Sequence, residues 1–550
     1  MSRRKARLVV LWGLAWWLTA SALAQVPADN TPQPTVRVTT GLVLVDAVVT
    51  DRNGRPVRDL KAEDFAVYEN GKPVKLAFAT LHTPEEARSA VPPALPPNVY
   101  TNRPEYRSTA EPLVILLLDA RNTRMQDQAY ARLQLLKYLG TQLRPDQPVA
   151  VYALGSSLTL LQDFTDDPAQ LRAAVETFRP QASRELSMED LDRVRAPEPR
   201  EQRFLRFYRQ MNEFYMNQVI AARDVRVAGT LAALRAIGRS MAGIPGRKNL
   251  VWVSAGFPLQ SIETRGSYVS ETRVTTAMLT DARVAVYPVD ARGLVVGITA
   301  INADRPRVQF KEDIERASRQ ILDTQQSMEV MASFTGGRMF KNRNDIDNAV
   351  ATSIREGSTY YVVGYYAENK NWDGRFRELR VRLKRPGLTI RHRQGYFAFD
   401  PEKWETRSKA VQADMAWTLE ATAMPATQIV FDARIAPAGS GEPVTLPIEF
   451  RVDLNTLSAR PLANGGKAYR AEFHAVAINQ KGDVAARLAL ELTAPVLSSD
   501  LHALEQQGLP FRLEMELPSG RYELRLGVRD VTTGFFGTLS APVDVAAPTQ

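Results

Sequence analysis

The sequence predicts two fold classes in one chain: α/β, with a doubly wound and mainly parallel sheet, flanked on both sides by all-β structure. Three observations predict it. Between residues 112 and 356, short and continuously apolar runs alternate with stretches of helical spacing, the pattern of βαβ units whose strands are buried on both faces. On either side the period falls to two, apolar against polar, as in half-exposed antiparallel strands. The chain has 550 residues, 44% of them hydrophobic and 24% charged, which is the composition of folded protein and the length of roughly three or four domains.

Composition removes several chemistries at once. With no cysteine, the chain can form neither disulfides, thiolate metal sites nor a lipid-bearing N-terminal cysteine. Its four histidines, His82, His392, His474 and His502, stand alone, outside any metal-ligand spacing. At the N-terminus Arg3, Arg4, Lys5 and Arg7 precede the apolar run Leu8 to Leu23 and the small-residue site Ala22-Leu23-Ala24. Residues 1–24 therefore read as a secretory signal peptide, with no membrane span left once it is cleaved. Its removal takes the formal charge from +9 to +5, so the mature chain is mildly basic and its basicity points to no nucleic-acid partner. The expected location is the periplasm, the cell envelope or outside the cell.

In chain order, residues 25–83 form a β unit with strand-like runs at Val36 to Thr50 and Phe65 to Leu81, and turns at Asn53-Gly54 and Asn70-Gly71. Residues 84–111 read as a linker, because seven prolines fall between Pro84 and Pro112. Within the α/β region (112–356) the strands are Leu113 to Leu118, Val149 to Leu154, Leu158 to Leu161, Asn249 to Ser254 and Val284 to Asp290. Helical spacing marks Tyr130 to Leu143, Ala169 to Phe178 and Val227 to Met241. An insertion at 181–222 carries a helix with Phe204, Tyr208, Met211, Tyr215 and Val219 on one stripe, the pattern of a face that packs into its own domain. Strands at Ser358 to Tyr366, Arg375 to Lys384 and Leu388 to Phe399 fill 357–400 and are expected to pack with the N-terminal β unit, since neither set alone can bury a core. After a linker at 401–426, clean alternation at Ile448, Phe450 and Val452, and again at Tyr522, Leu524 and Leu526, predicts an immunoglobulin-like β-sandwich over 427–550.

An acidic residue that ends the first strand of such a sheet resembles a von Willebrand factor A domain, and the resemblance covers roughly residues 112–356. More closely, the chain to about residue 400 is similar to the bacterial family of exported von Willebrand factor A-related proteins. The residues that carry this are Asp64-Phe-Ala-Val-Tyr-Glu-Asn-Gly71, Asp119-Ala-Arg-Asn-Thr123, Pro245-Gly-Arg-Lys-Asn-Leu250, Tyr287-Pro-Val-Asp-Ala-Arg-Gly293, Thr335-Gly-Gly337, Ser358-Thr-Tyr-Tyr361 and Gln394-Gly-Tyr-Phe397. The resemblance implies a binding module and not an enzyme.

It also implies a place to look for a metal. The adhesion site of such domains takes Asp-x-Ser-x-Ser after the first strand, a Thr from a second loop and an Asp from a third, hard oxygen donors that suit Mg²⁺. Here the matching residues are Asp119, Thr123 and Thr230, the last read as lying at a helix start, with Asn122 and Ser254 as neighbours. Arg121 stands at the first Ser position and Ala255 at the position of the third-loop Asp. A lost carboxylate and an added cation predict a degenerate site with no tight Mg²⁺, and hence no cofactor, with Asp119 engaged by Arg121 or capping the next turn.

Residues 370–393 carry nine basic residues against Asp373 and Glu378. Alternation predicts a cationic face made of Arg375, Arg377, Arg380, Arg382 and Lys384, suited to an anionic envelope polymer or an acidic protein. The glycine pairs lack the spacing of phosphate loops, and Ser254 lacks both the GxSxG frame and a histidine for a triad. The reading that results is a non-catalytic, exported protein- or surface-binding chain, with a metal-independent envelope assembly scaffold as the alternative and a hydrolase behind both.

Overall fold

The computed structural model describes residues 42–85, 94–103, 106, 113–145, 147–190, 202–258, 268–294, 307–399, 426–436 and 443–545. The signal peptide and most of the linker expected at 401–426 lie outside them. The first strands are β1 (Leu42–Thr50), β2 (Phe65–Glu69), β3 (Lys72–Val74) and β4 (Leu76–His82). A short β5 (Val99–Thr101) follows inside the proline-rich segment.

The α/β region contains β6 (Leu113–Asp119), α1 (Met125–Thr141), β7 (Val149–Leu154), β8 (Leu158–Thr165), α2 (Pro168–Thr177), α3 (Arg184–Asp190), α4 (Gln202–Met241), β9 (Lys248–Ser254), α5 (Val269–Asp281), β10 (Val284–Asp290), α6 (Arg307–Thr335) and α7 (Ile346–Gly357). Its sheet runs β10-β9-β6-β7-β8, parallel except for the antiparallel edge strand β8. Beyond β10, Phe340 makes a parallel bridge to Val289. Side chains from α1, α2 and α7 pack on one face of this sheet, and those of α4, α5 and α6 on the other. Two-sided burial is why β6, β9 and β10 carry near-continuous apolar runs.

The next strands are β11 (Tyr360–Tyr366), β12 (Phe376–Leu383), β13 (Thr389–Arg391) and β14 (Gly395–Phe397). They interleave with the N-terminal strands in two sheets, β13-β1-β11-β4 and β14-β12-β2-β3. Val43, Val45, Val67, Tyr361, Val363, Leu379 and Val381 share the core between them. The unit is tied to the α/β sheet by Asp46 of β1, which accepts from Arg283 at 2.6 Å and lies 3.9 Å from buried Arg247.

The last region comprises β15 (Phe431–Ile435), β16 (Val444–Val452), β17 (Ala459–Pro461), β18 (Lys467–Asn479), β19 (Val484–Val496), α8 (Ser498–Gln507), β20 (Leu509–Leu517), β21 (Gly520–Asp530) and β22 (Phe536–Val545). Its strands form two sheets around one core, β20-β16-β15-β5 and a second built on β18, β19, β21 and β22. Thr427 fastens it to the end of α4, accepting from Gly243 N and donating to Ser240 O.

Three readings of the sequence change. The segment 84–111 is more than a connection, because β5 adds an edge strand beside β15. The insertion helix and the helix expected from Val227 are one continuous 40-residue α4, so Thr230 sits in its body and not at its start. The stripe on the insertion packs as a core face only in part. Of its described side chains, Val219 is buried and Tyr208 and Met211 are half-buried, but Tyr215 is 50% exposed; Phe207 and Phe214, which are not part of the stripe, are 66% and 60% exposed. No helix among the described residues is long and apolar enough to cross a membrane.

Candidate functional site

Asp119 ends the central strand β6 at the carboxyl edge of the sheet, where open α/β folds bind ligands. Only 2% of it is exposed. The chain leaves the strand through Ala120 and Arg121, whose N–H groups both bond Leu154 O at the end of β7. It then turns back so that Asn122 N donates to Asp119 Oδ1 at 3.0 Å. The carboxylate thereby caps the turn that follows it.

Its other oxygen receives three donors: Asn122 Nδ2 at 2.7 Å, Ser254 Oγ at 2.7 Å and Trp252 Nε1 at 2.9 Å. The last two lie two residues apart on β9 and therefore share a face. Burial raises the pKa of Asp119, opposed by the hydrogen bonds from Ser254, Asn122 and Trp252.

The Asn122 amide decides what this site can hold. Its nitrogen also donates to Thr230 Oγ1 at 2.8 Å, while its oxygen accepts from Arg226 at 2.7 Å. Arg226 is held in turn by both carboxylate oxygens of Glu189 at 2.7 and 2.9 Å. Thr230 Oγ1 itself donates to Arg226 O, one helical turn earlier. The amide nitrogen thus bridges Asp119 and Thr230, two oxygens that a divalent ion would need to share. Thr123 Oγ1 accepts from Ala255 N, and Ser254 Oγ accepts from Gly256 N. The hydroxyls and the carboxylate of the set are all engaged by protein donors. Among the described residues no three or more His, Asp or Glu side chains gather as a metal site. The donor set does not fit Mg²⁺ while Asn122 holds this rotamer, because an N–H donor stands where a cation would seek lone pairs.

Arg121 departs from its expected place at the site. Its guanidinium turns away from Asp119 to Gly155 O, Ser156 O, Glu185 and Val225 O. A Cβ at residue 229 would lie 2.6 Å from its Cζ, so Gly229 beside Thr230 makes room for this arm. Sequence reasoning missed Trp252, Arg226 and Glu189. Trp252 was findable from its alternation with Ser254, and Arg226 from its place four residues before Thr230.

The expected basic face loses one member. Arg380 and Arg382 are exposed along β12, Lys384 just after it and Arg375 just before it. Arg377 shares the parity of Leu379 and Val381, so it points inward, where it is 2% exposed. It donates to the carbonyls of Asn369 and Asn371 and pairs with Glu69 at 3.5 Å. On the outer face Arg380 bonds Glu378 and Arg382 lies over the Tyr68 ring.

Neither a family model nor a curated protein matches the sequence. Solved structures overlap it weakly. An aerotolerance-related membrane protein from Bacteroides fragilis is 15% identical, over 44% of this chain and 98% of its own, with a TM-score of 0.23. A von Willebrand factor type A protein from Catenulispora acidiphila is 8% identical over 80% and 66%, TM-score 0.23. The ArnB paralog VWA2 from Sulfolobus acidocaldarius is 7% identical over 88% and 76%, TM-score 0.22. Overlap this low carries no argument about activity, and the strand order and hydrogen bonds above stand without it.

Proposed function

We propose that the chain is an exported, non-catalytic binding protein whose von Willebrand factor A-like rim has exchanged a metal ion for the Asn122 amide. The observation that carries this is the Asn122 nitrogen between Asp119 Oδ2 and Thr230 Oγ1 at 2.7 and 2.8 Å. A rim of this kind is pre-set by its own side chains, so partner binding needs no ion and no change of protonation. Hydrolysis is disfavoured by Ser254, which donates to Asp119 and has no histidine among its hydrogen-bond partners.

The contact surface we assign is the part of α4 that projects past the rim. Helices antiparallel to their strands start at the carboxyl edge, and the 28 steps from Gln202 to Thr230 span ~42 Å at 1.5 Å per residue. Phe207, Phe214 and Tyr215 are exposed there at i, i+7 and i+8, one side of the helix. Exposed Met125 and a shallow depression lined by Arg124, Gln126, Ala129 and Pro180 lie at the start of α1, on the same edge. Exposed aromatic groups of this kind mark protein contacts. The remaining cations of β12 suit an anionic envelope polymer or an acidic neighbour as an accessory contact.

The test is capture from a cell-envelope extract on the immobilised chain, in Mg²⁺ and in EDTA, with wild type and a Phe207→Asp/Phe214→Asp variant. The expected result is the same bound protein in both buffers and its loss in the variant. Capture that requires Mg²⁺ would overturn the metal-free reading.

A further inference from the structure

β19 is 13 residues long and lies at the edge of the C-terminal sandwich. Among the described residues it pairs with β18 alone. β17 and β21 pair with stretches of β18 that β19 also pairs with, so both take the opposite side of that strand. One whole flank of β19 therefore carries outward N–H and C=O groups. Apart from the exposed charges Arg487 and Glu491, the devices that usually guard an edge are confined to its ends. Its one register irregularity lies opposite Ala477 and Ile478, and its proline is Pro495; no lysine occurs in it.

The side chains alternate regularly between these ends. Ala486, Leu488, Leu490, Leu492 and Ala494 face the core and are only partly buried, while Arg487, Ala489, Glu491 and Thr493 are exposed. The last row of the core is thus open along the edge.

We propose that β19 pairs with β19 of a second copy, antiparallel about a two-fold axis at Ala489, so that two sheets become one. Opposed residues of an antiparallel pair share a face, so only a two-fold through a residue keeps the core rows together. An axis at Ala489 sets Leu488 against Leu490 and Ala486 against Leu492, each twice. It also sets Arg487 against Glu491 of the second copy, twice. Axes one step away, at Leu488 or Leu490, put both charges against neutral residues. Glu491 already bonds Arg470 of β18 at 2.6 Å, and in the pair it would lie between two cations. The surface is isologous, as a closed dimer requires.

Because the chain has no cysteine, a single introduced thiol reports one position. Across the axis, the two Ala489 Cβ atoms would lie ~4.5–5.5 Å apart, close to disulfide reach. Two copies of residue 493 would be eight residues out of register, ~27 Å along the strands. Sedimentation of the purified chain at ~50 μM, a concentration typical of a stable homodimer with submicromolar Kd, should give the dimer mass. Under mild oxidation Ala489→Cys should form a covalent dimer and Thr493→Cys should remain uncrosslinked. Arg487→Glu sets like charges face to face twice and should weaken the dimer by roughly tenfold or more, whereas Arg512→Glu on β20 should not. A monomer at this concentration overturns the proposal and leaves the edge to another chain. So does a dimer in which Thr493→Cys crosslinks as fast as Ala489→Cys, or one whose Kd, from a sedimentation dilution series, Arg487→Glu leaves unchanged.

Discussion

Replacing Asn122 by alanine removes three hydrogen bonds from one buried cluster. The amide nitrogen gives up Asp119 Oδ2 and Thr230 Oγ1, and Arg226 loses its bond to the amide oxygen. Two of the three involve a charged partner and are worth ~1.5–3 kcal/mol each, and the neutral one ~1 kcal/mol. Some of that returns. Asp119 keeps the donors Asn122 N, Trp252 and Ser254, Arg226 keeps Glu189, and a water can enter the small space left. The net loss should be ~2–4 kcal/mol, read as a fall of roughly 5–15 °C in the transition of the α/β domain. Differential scanning calorimetry of the whole chain can resolve it, provided each transition is assigned, since a multidomain protein need not melt in one step. Asn122→Asp is the companion variant. It sets a second carboxylate against Asp119 and should both destabilise the domain and create a response to Mn²⁺ that wild type lacks. A loss below ~1 kcal/mol in Asn122→Ala would mean that solvent replaces the amide without cost, and the locked rim would be refuted.

Asp46 gives a pH-dependent test. Burial opposes its ionisation, but Arg283 first and Arg247 next outweigh that and hold its pKa below the ordinary aspartate value of 3.8. A carboxyl with a lowered folded-state pKa stabilises above its unfolded pKa and loses that contribution as pH falls through the folded value. Asp46→Asn should therefore cost ~3 kcal/mol at pH 7 and less near pH 3, by up to ~1 kcal/mol, in urea titrations at the two pH values; equal losses would contradict it. Arg377→Ala, which leaves buried Glu69 with its two tyrosine donors but no cation and takes the side-chain donor from two carbonyls, should destabilise by ~3 kcal/mol or more, whereas Arg382→Ala on the outer face should stay within ~0.5 kcal/mol. Similar values for both would mean that the inward turn of Arg377 is wrong. Gly243→Ala puts a methyl group against the Thr427 carbonyl, which is backbone and cannot swing aside. It should loosen the C-terminal sandwich from α4 and separate their melting transitions, and an unchanged calorimetric trace would exclude that junction.

Local pattern was enough where burial is two-sided. The runs starting at Leu113, Asn249 and Val284 begin and end within a residue of β6, β9 and β10, because a parallel strand buried on both faces reads as a near-continuous apolar run. The break expected between the insertion and the Val227 helix falls on Arg223-Asp224-Val225-Arg226, three charges around one apolar residue. The helix continues through it because α3 lies alongside and Glu189 pairs with Arg223 and Arg226. Helix α7 carried its signal openly, with Ile346, Ala349, Val350 and Ile354 at i, i+3, i+4 and i+8, and was not read. Strand β5 could not be read, since three residues gain their partner β15 only some 330 positions later. Arg377 was misplaced by counting charges instead of parity along the strand.

At the rim, Asp119 and the company of Thr230 were legible from the strand-then-acid pattern. The role of Asn122 was not. No spacing rule states that an amide three residues past an aspartate turns back to it and reaches a threonine more than 100 positions away. That contact depends on Arg226 and Glu189, which fix which end of the amide faces Asp119.

The most direct test of the central claim is a melt of the purified chain in millimolar Mg²⁺ or Mn²⁺ and in EDTA. Binding to the folded state stabilises by RT ln(1 + [L]/Kd), so a site of micromolar affinity would add roughly 4 kcal/mol at millimolar ion. With the Asn122 amide between Asp119 and Thr230, the account predicts the same melting temperature in all three buffers. A rise of several degrees with the metal ion, abolished in Asp119→Ala, would contradict it and restore a metal-dependent adhesion site.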